Sequence, residues 1–186
     1  MIENPPILLL DTCIWLDIYL FDRPNRRTAQ DLVSYALDHD VPLAFSSHTA
    51  LDVYARVGIS AKRFFRDNGG LTETQAKAAK AYAWDCVADM HEKATAVPID
   101  SSDFYLAGKY RAIHDDYEDN LILATCCRAR ANYLVTNDRV LRRHADITAK
   151  SADEMLALLK AGLAHGVLAS EPSHDASYYL QRWLSE

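Results

Sequence analysis

At 186 residues, with 49% hydrophobic content and six glycines, the chain has the composition of one globular domain with a sizeable core and not of a disordered or fibrous protein. Its formal net charge of −6 argues against non-specific nucleic-acid binding by the surface as a whole. No apolar run is long enough to span a bilayer, and Met1-Ile2-Glu3-Asn4 lacks the basic stretch of a signal peptide. The four cysteines (Cys13, Cys86, Cys126 and Cys127) have no metal-type spacing, which predicts small buried thiols in a reduced, cytoplasmic protein.

The first predicted element is the run Ile7-Leu8-Leu9-Leu10, too short for a helix and preceded by Pro5-Pro6, hence a strand buried on both faces. It ends on Asp11, an expensive residue to place there unless something pairs with it. Helical spacing follows from Thr12 to about Leu20, then a turn at 22–25, then an amphipathic helix from Arg27 to Asp38. "VPLAFSS" reads as a second strand, leading into a helix from His48 to about Val57. "DNGG" at 67–70 is a breaker, and 72–94 reads as one long alanine-rich helix.

"TAVPI" is a third strand, followed by a helix start at Ser101-Ser102-Asp103, a helix over 104–114 and another over 117–131. "NYLVTND" is a fourth strand ending at Asp138, and "DITAK" a fifth. Ser151 to Glu154 forms a capping box before a helix that Gly162 is expected to stop. The tail, 166–186, carries "SYYLQRWL", predicted to be a short packed helix. Strands alternating with helices give an α/β fold with a mainly parallel sheet of four or five strands and a helical insertion at about 58–94.

In such a sheet, functional groups gather beyond the carboxyl ends of the strands. Two strands end on an aspartate, Asp11 and Asp138, which share a crevice if those strands are neighbours. Asp52 sits about one helical turn beyond the second strand, and Asp119 heads the helix that leads into the fourth, with Asp115 and Asp116 just before it. Taken singly, each acid also admits a structural role: a helix N-cap for Asp11 or Asp138, a solvent-facing position for Asp52, a first-turn carboxylate for Asp119. Together, four carboxylates repel one another strongly, and two divalent cations would neutralise them. Oxygen ligands suit Mg²⁺ or Mn²⁺, and no His/Cys cluster competes in the sequence. Such a pair of metals is an arrangement for cleaving phosphodiesters.

Three patches, "LLLDTCIWL", "FSSHTALDVYARV" and "YEDNLILATCCRARANYLVTND", resemble the PIN-domain family of metal-dependent ribonucleases, which includes many toxins of toxin–antitoxin pairs. The resemblance implies a PIN-like three-layer α/β/α domain over 1–165. It carries the metal ligands onto Asp11, Asp52, Asp119 and Asp138, with Asp116 as an extra acid. Thr136 becomes the hydroxyl that orients a carboxylate or a metal-bound water. The second acid is more often glutamate in that family, so Asp52 reaches less far. The resemblance further implies Mg²⁺ or Mn²⁺ as cofactor, RNA as substrate, frequent homodimers and an antitoxin protein as partner. Thr12, Arg128, Arg139 and Arg142 are the candidate substrate contacts. The competing expectation is a PIN-like module that binds RNA or protein without turnover. A haloacid-dehalogenase-type phosphatase would need a second acid at position 13, which is Cys13, and the phosphate-binding GxxxxGK[ST] loop is absent.

Overall fold

The computed structural model describes residues 5–165, and the predicted tail helix lies outside them. The strands are β1 (Leu8–Leu10), β2 (Leu43–Ser46), β3 (Thr95–Val97), β4 (Tyr133–Val135) and β5 (Ala149–Lys150). The helices are α1 (Thr12–Tyr19), α2 (Arg26–Asp38), α3 (Ser47–Asp67), α4 (Glu73–Lys93), α5 (Ser101–Tyr110), α6 (Tyr117–Arg128), α7 (Arg139–His144) and α8 (Ala152–His165).

All five strands are parallel, in the order β3-β2-β1-β4-β5. The β1 leucines are fully buried because each face of the strand meets a helical layer. Leu8 and Leu10 pack with Ile14, Trp15, Leu32, Val53, Val57 and Met155. Leu9, pointing the other way, packs with Ile122, Leu123, Cys126, Leu134 and Leu141. Truncating one such leucine to alanine costs about 2–5 kcal/mol.

Chain direction explains where a site can form. From β1 the chain steps outward to β2 and β3, then crosses back to place β4 on the opposite side of β1. The carboxyl ends of β1 and β4 therefore flank the point where the strand order reverses, the place where open parallel sheets offer a crevice. Asp11 still belongs to this ladder, since its N–H donates to Val135 O at 3.0 Å.

Three element boundaries differ from the sequence reading. α3 runs on through Gly58 to Asp67 instead of ending near Val57. A glycine inside a helix costs about 1 kcal/mol relative to alanine. Here it lies against α4, where an added Cβ would stand 3.7 Å from Ala83 Cβ, and the small residues Ala79, Ala83 and Cys86 let the two helices pack closely. α5 starts at Ser101, within the expected start, where Asp100 and Asp103 form a reciprocal capping box, but it ends at Tyr110 instead of running to 114. α8 passes through Gly162 to His165, since buried Met155 and Leu159 hold it more strongly than one glycine weakens it. Its capping box forms as expected: Glu154 accepts from Ser151 N at 2.8 Å. Cys13, Cys86, Cys126 and Cys127 form no disulfide, and no helix among the described residues is long and apolar enough to cross a membrane.

Candidate metal centre

Asp11 occupies the N-cap position of α1, yet its side chain makes no capping hydrogen bond. Instead the carboxylate, 5% exposed, accepts from Thr136 Oγ1 at 2.6 Å. Thr136 follows β4 directly, so the neighbouring strand orients the acid at the end of β1. The same hydroxyl accepts from Asp138 N at 3.0 Å and touches Cys13 Sγ at 3.4 Å. Burial pushes the Asp11 carboxyl above its ordinary pKa, against the lowering effect of hydrogen bonds from Cys13 and Thr136. Burial raises the Cys13 thiol as well, and the Asp11 charge adds to that, which keeps the thiol protonated.

Asp119 sits in the first turn of α6 and lies 3.0 Å from His114 Nε2. Its pKa rises to about 6, first through burial and then, against the favourable His114 contact, through the charges of Asp116, Asp11 and Asp138. Glu118, its neighbour, rises to about 7 through burial, the charge of Asp52 and the charge of Asp11, offset in part by Arg56 at 3.6 Å. Six carboxylates are thus coupled through their charges, with one arginine paired among them.

Within this set the donor atoms form two close groups. His48, Asp52 and Glu118 offer donors within 4.8 Å of one another, and so do His114, Asp116 and Asp119. Asp11 couples to members of both. His48 is held by Ser46 Oγ at 2.8 Å from its Nδ1, while its Nε2 is buried without a hydrogen-bond partner among the described residues. Burial lowers the His48 pKa, against the opposing charges of Asp52 and Asp11, so the imidazole is neutral at pH 7.

The structure brings together Asp11, Asp52, Asp116, Asp119, Asp138 and Thr136. Two of these acids are also structural, since Asp116 caps α6 and Asp138 caps α7 through Oδ1, at 2.6 Å from Val140 N and 3.1 Å from Leu141 N. Because Asp116 is a cap, the helix does not extend back to Asp115, which pairs with Arg111 instead. Of the proposed substrate contacts, Thr12 is buried and donates to Thr49 Oγ1 at 3.3 Å, tying α1 to α3. Arg142 pairs with Glu154 at 2.9 Å and so braces the start of α8. Arg128 forks onto buried Asp103 at 3.0 and 3.1 Å and also donates to Pro98 O. It stands nine residues along α6 from Asp119, about 13.5 Å of helix. These three side chains are engaged in holding the fold, whereas Arg139 is exposed beside Asp138 at the start of α7.

Sequence reading missed Glu118, His48 and His114. Each close group contains one histidine, which no His/Cys cluster in the sequence brings to the acids. His48 had a readable signal, four residues before Asp52 on one helix. Glu118 meets Asp52 only through the tertiary approach of the first turn of α6 to α3, where Arg56 also reaches Glu118, and no local pattern encodes it.

The family model described as PIN domain matches residues 8–140, from β1 to the first turn of α7. The chain belongs to the PIN-domain family. Among solved structures, this PIN domain is similar to a chain of VapBC2 from Rickettsia felis bound to a promoter DNA fragment. That match has a TM-score of 0.57 and 14% identity, covering 78% of this chain and 98% of that one. It is also similar to a chain of FitAB bound to an IR36 DNA fragment, with a TM-score of 0.55, 17% identity, and 78% and 94% coverage. At these identities the likeness is one of fold. No curated protein matches.

Proposed function

We propose that this PIN domain is a Mg²⁺- or Mn²⁺-dependent endoribonuclease that cleaves RNA phosphodiester bonds, and that its protein partner is an antitoxin. The observation that carries the reading is the convergence of six coupled carboxylates at the β1–β4 switch point, with one arginine to balance them. A surface that only needed solubility would not bury Asp11 and crowd Asp119 and Glu118 until their pKa values rise. The donor chemistry fits a divalent cation: carboxylate oxygens, plus one buried imidazole nitrogen with no partner among the described residues.

Asp11, Asp119 and Asp138 would hold the metal, with Asp116 beside Asp119 and Asp52 and Glu118 on the α3 side. When bound, divalent cations activate water for in-line attack and stabilise the leaving oxygen. The chain's own contribution is positional. Thr136 fixes the Asp11 carboxylate, and the α6 cap formed by Asp116 fixes the first turn that presents Glu118 and Asp119. Arg139, on the rim, is the residue we assign to a substrate phosphate.

Support for an antitoxin partner is the family resemblance in the sequence motifs together with the fold likeness to chains of the VapBC2 and FitAB complexes. The same resemblance makes a homodimer the assembly to look for. The test is incubation of total RNA with Mn²⁺, comparing wild type with Asp11→Asn and mapping the cleavage ends. The reading predicts defined ends from wild type and none from the folded variant. Equal cleavage by both would remove Asp11 from the chemistry, and no cleavage by either would favour a module that binds without turnover.

A further inference from the structure

Resting on that metal-centre reading, we propose that His48 is itself a metal ligand, coordinating through Nε2 beside Asp52 and Glu118. This PIN domain then holds one cation on a nitrogen as well as on oxygens.

The hydrogen bonds around His48 fix which nitrogen is available. Thr125 Oγ1 lies 2.8 Å from Leu121 O, a carbonyl that can only accept, so the threonine proton is committed there. Ser46 Oγ is 3.0 Å from Thr125 Oγ1 and must therefore be the donor in that pair. With its proton spent, Ser46 Oγ accepts from His48 Nδ1 at 2.8 Å. His48 is thereby held with its proton on Nδ1 and its lone pair on Nε2. That Nε2 atom is buried and has no partner among the described residues. Buried polar atoms are rarely left unpaired, and one that is calls for an explanation.

An imidazole locked by a hydrogen bond at one nitrogen, with the other unpartnered and two carboxylates in the same close group, is the arrangement of a metal-ligating histidine and its supporting shell. Here the support is a relay, Ser46 to Thr125 to the α6 backbone, and it ties β2, α3 and α6 together at the site. The third donor comes from the neighbouring helix. Asp52 carries a short side chain, and Glu118 lies within the same 4.8 Å group as His48 and Asp52. A nitrogen ligand shifts preference away from Mg²⁺, which favours all-oxygen sites, toward Mn²⁺ and the later first-row ions.

The test uses the full chain and Mn²⁺ alone, without RNA. Pulsed electron paramagnetic resonance of bound Mn²⁺ reads imidazole nitrogen directly. Wild type should show the nitrogen coupling. In His48→Ala the coupling should vanish while Mn²⁺ still binds, about 10- to 100-fold more weakly, with Mg²⁺ affinity changed less. Ser46→Ala keeps His48 but removes its anchor. It should keep the coupling at saturating Mn²⁺ and weaken binding roughly tenfold. Bound Mn²⁺ with no nitrogen coupling in wild type would overturn the assignment of His48 and leave the ribonuclease reading standing. So would a coupling that survives His48→Ala, which would point to another imidazole. Unchanged affinity in Ser46→Ala would overturn the relay. Absence of Mn²⁺ binding in wild type would overturn both readings together.

Discussion

At the C-terminal end of α6, Arg128 grips Asp103 with two hydrogen bonds, and Asp100 adds a second carboxylate at 3.7 Å. At the N-terminal end of the same helix, Glu118 and Asp119 lie among Asp11, Asp52, Asp116 and Asp138, with Arg56 as the paired arginine. One helix thus carries a charge cluster with one arginine for two carboxylates and another with one arginine for six. The first is held by direct pairing and serves the fold. The second raises its own carboxyl pKa values, the pattern by which functional sites are recognised.

The comparison breaks most visibly in activity. Asp119→Asn should lower Mn²⁺-dependent RNA cleavage by more than about 100-fold, with an unchanged circular dichroism spectrum, because it removes a ligand and not a supporting group. At the other end, Arg128→Ala should leave Mn²⁺ affinity alone but cost about 3 kcal/mol in urea unfolding, since Asp103, 1% exposed, loses its partner. If Arg128→Ala instead abolished Mn²⁺ binding at full stability, the two ends would not be independent.

The third test uses pH on the metal-free protein. The Glu118 carboxyl is raised to about 7 in the fold from 4.5. Its contribution to stability is present at low pH and is lost as pH rises through that value. Lowering the pH from about 8.5 to about 6.5 should therefore raise Tm, above the range where neutral His48 begins to oppose the trend. Glu118→Gln should flatten that slope, and saturating Mn²⁺ should invert it, because metal competes with the proton. A Tm that falls over this interval in the metal-free protein would contradict the site electrostatics. The smallest effect is expected at Arg139: Arg139→Ala should weaken RNA binding a few-fold and reduce the salt slope by about one unit, without altering cleavage-site choice.

Much of this was readable in the sequence. The Ile7–Leu10 run before Asp11 and the "YLVTND" ending both reported parallel strands buried on two faces, and two strands ending alike is a local signal of a shared crevice. What local pattern does not carry is helix-to-helix approach. Glu118 meets Asp52 because the chain fold brings the first turn of α6 to α3, and Arg128 turns away from the site because Asp103, twenty-five residues earlier, claims it. Net charge and motif spacing treat an arginine as available, whereas tertiary pairing decides whether it is. Gly162 misled in a related way: intrinsic propensity marks a stop, and burial of the neighbouring turns overrides it, as it also lets α3 run through Gly58.

The central claim is that the uncompensated carboxylates exist to hold divalent cations, and calorimetric titration of the metal-free chain with Mn²⁺ at about pH 8 tests it most directly. The account predicts saturable binding in wild type that is lost when Asp11 and Asp119 are both changed to asparagine. No binding heat up to millimolar Mn²⁺, or the same isotherm from the double variant, would contradict it.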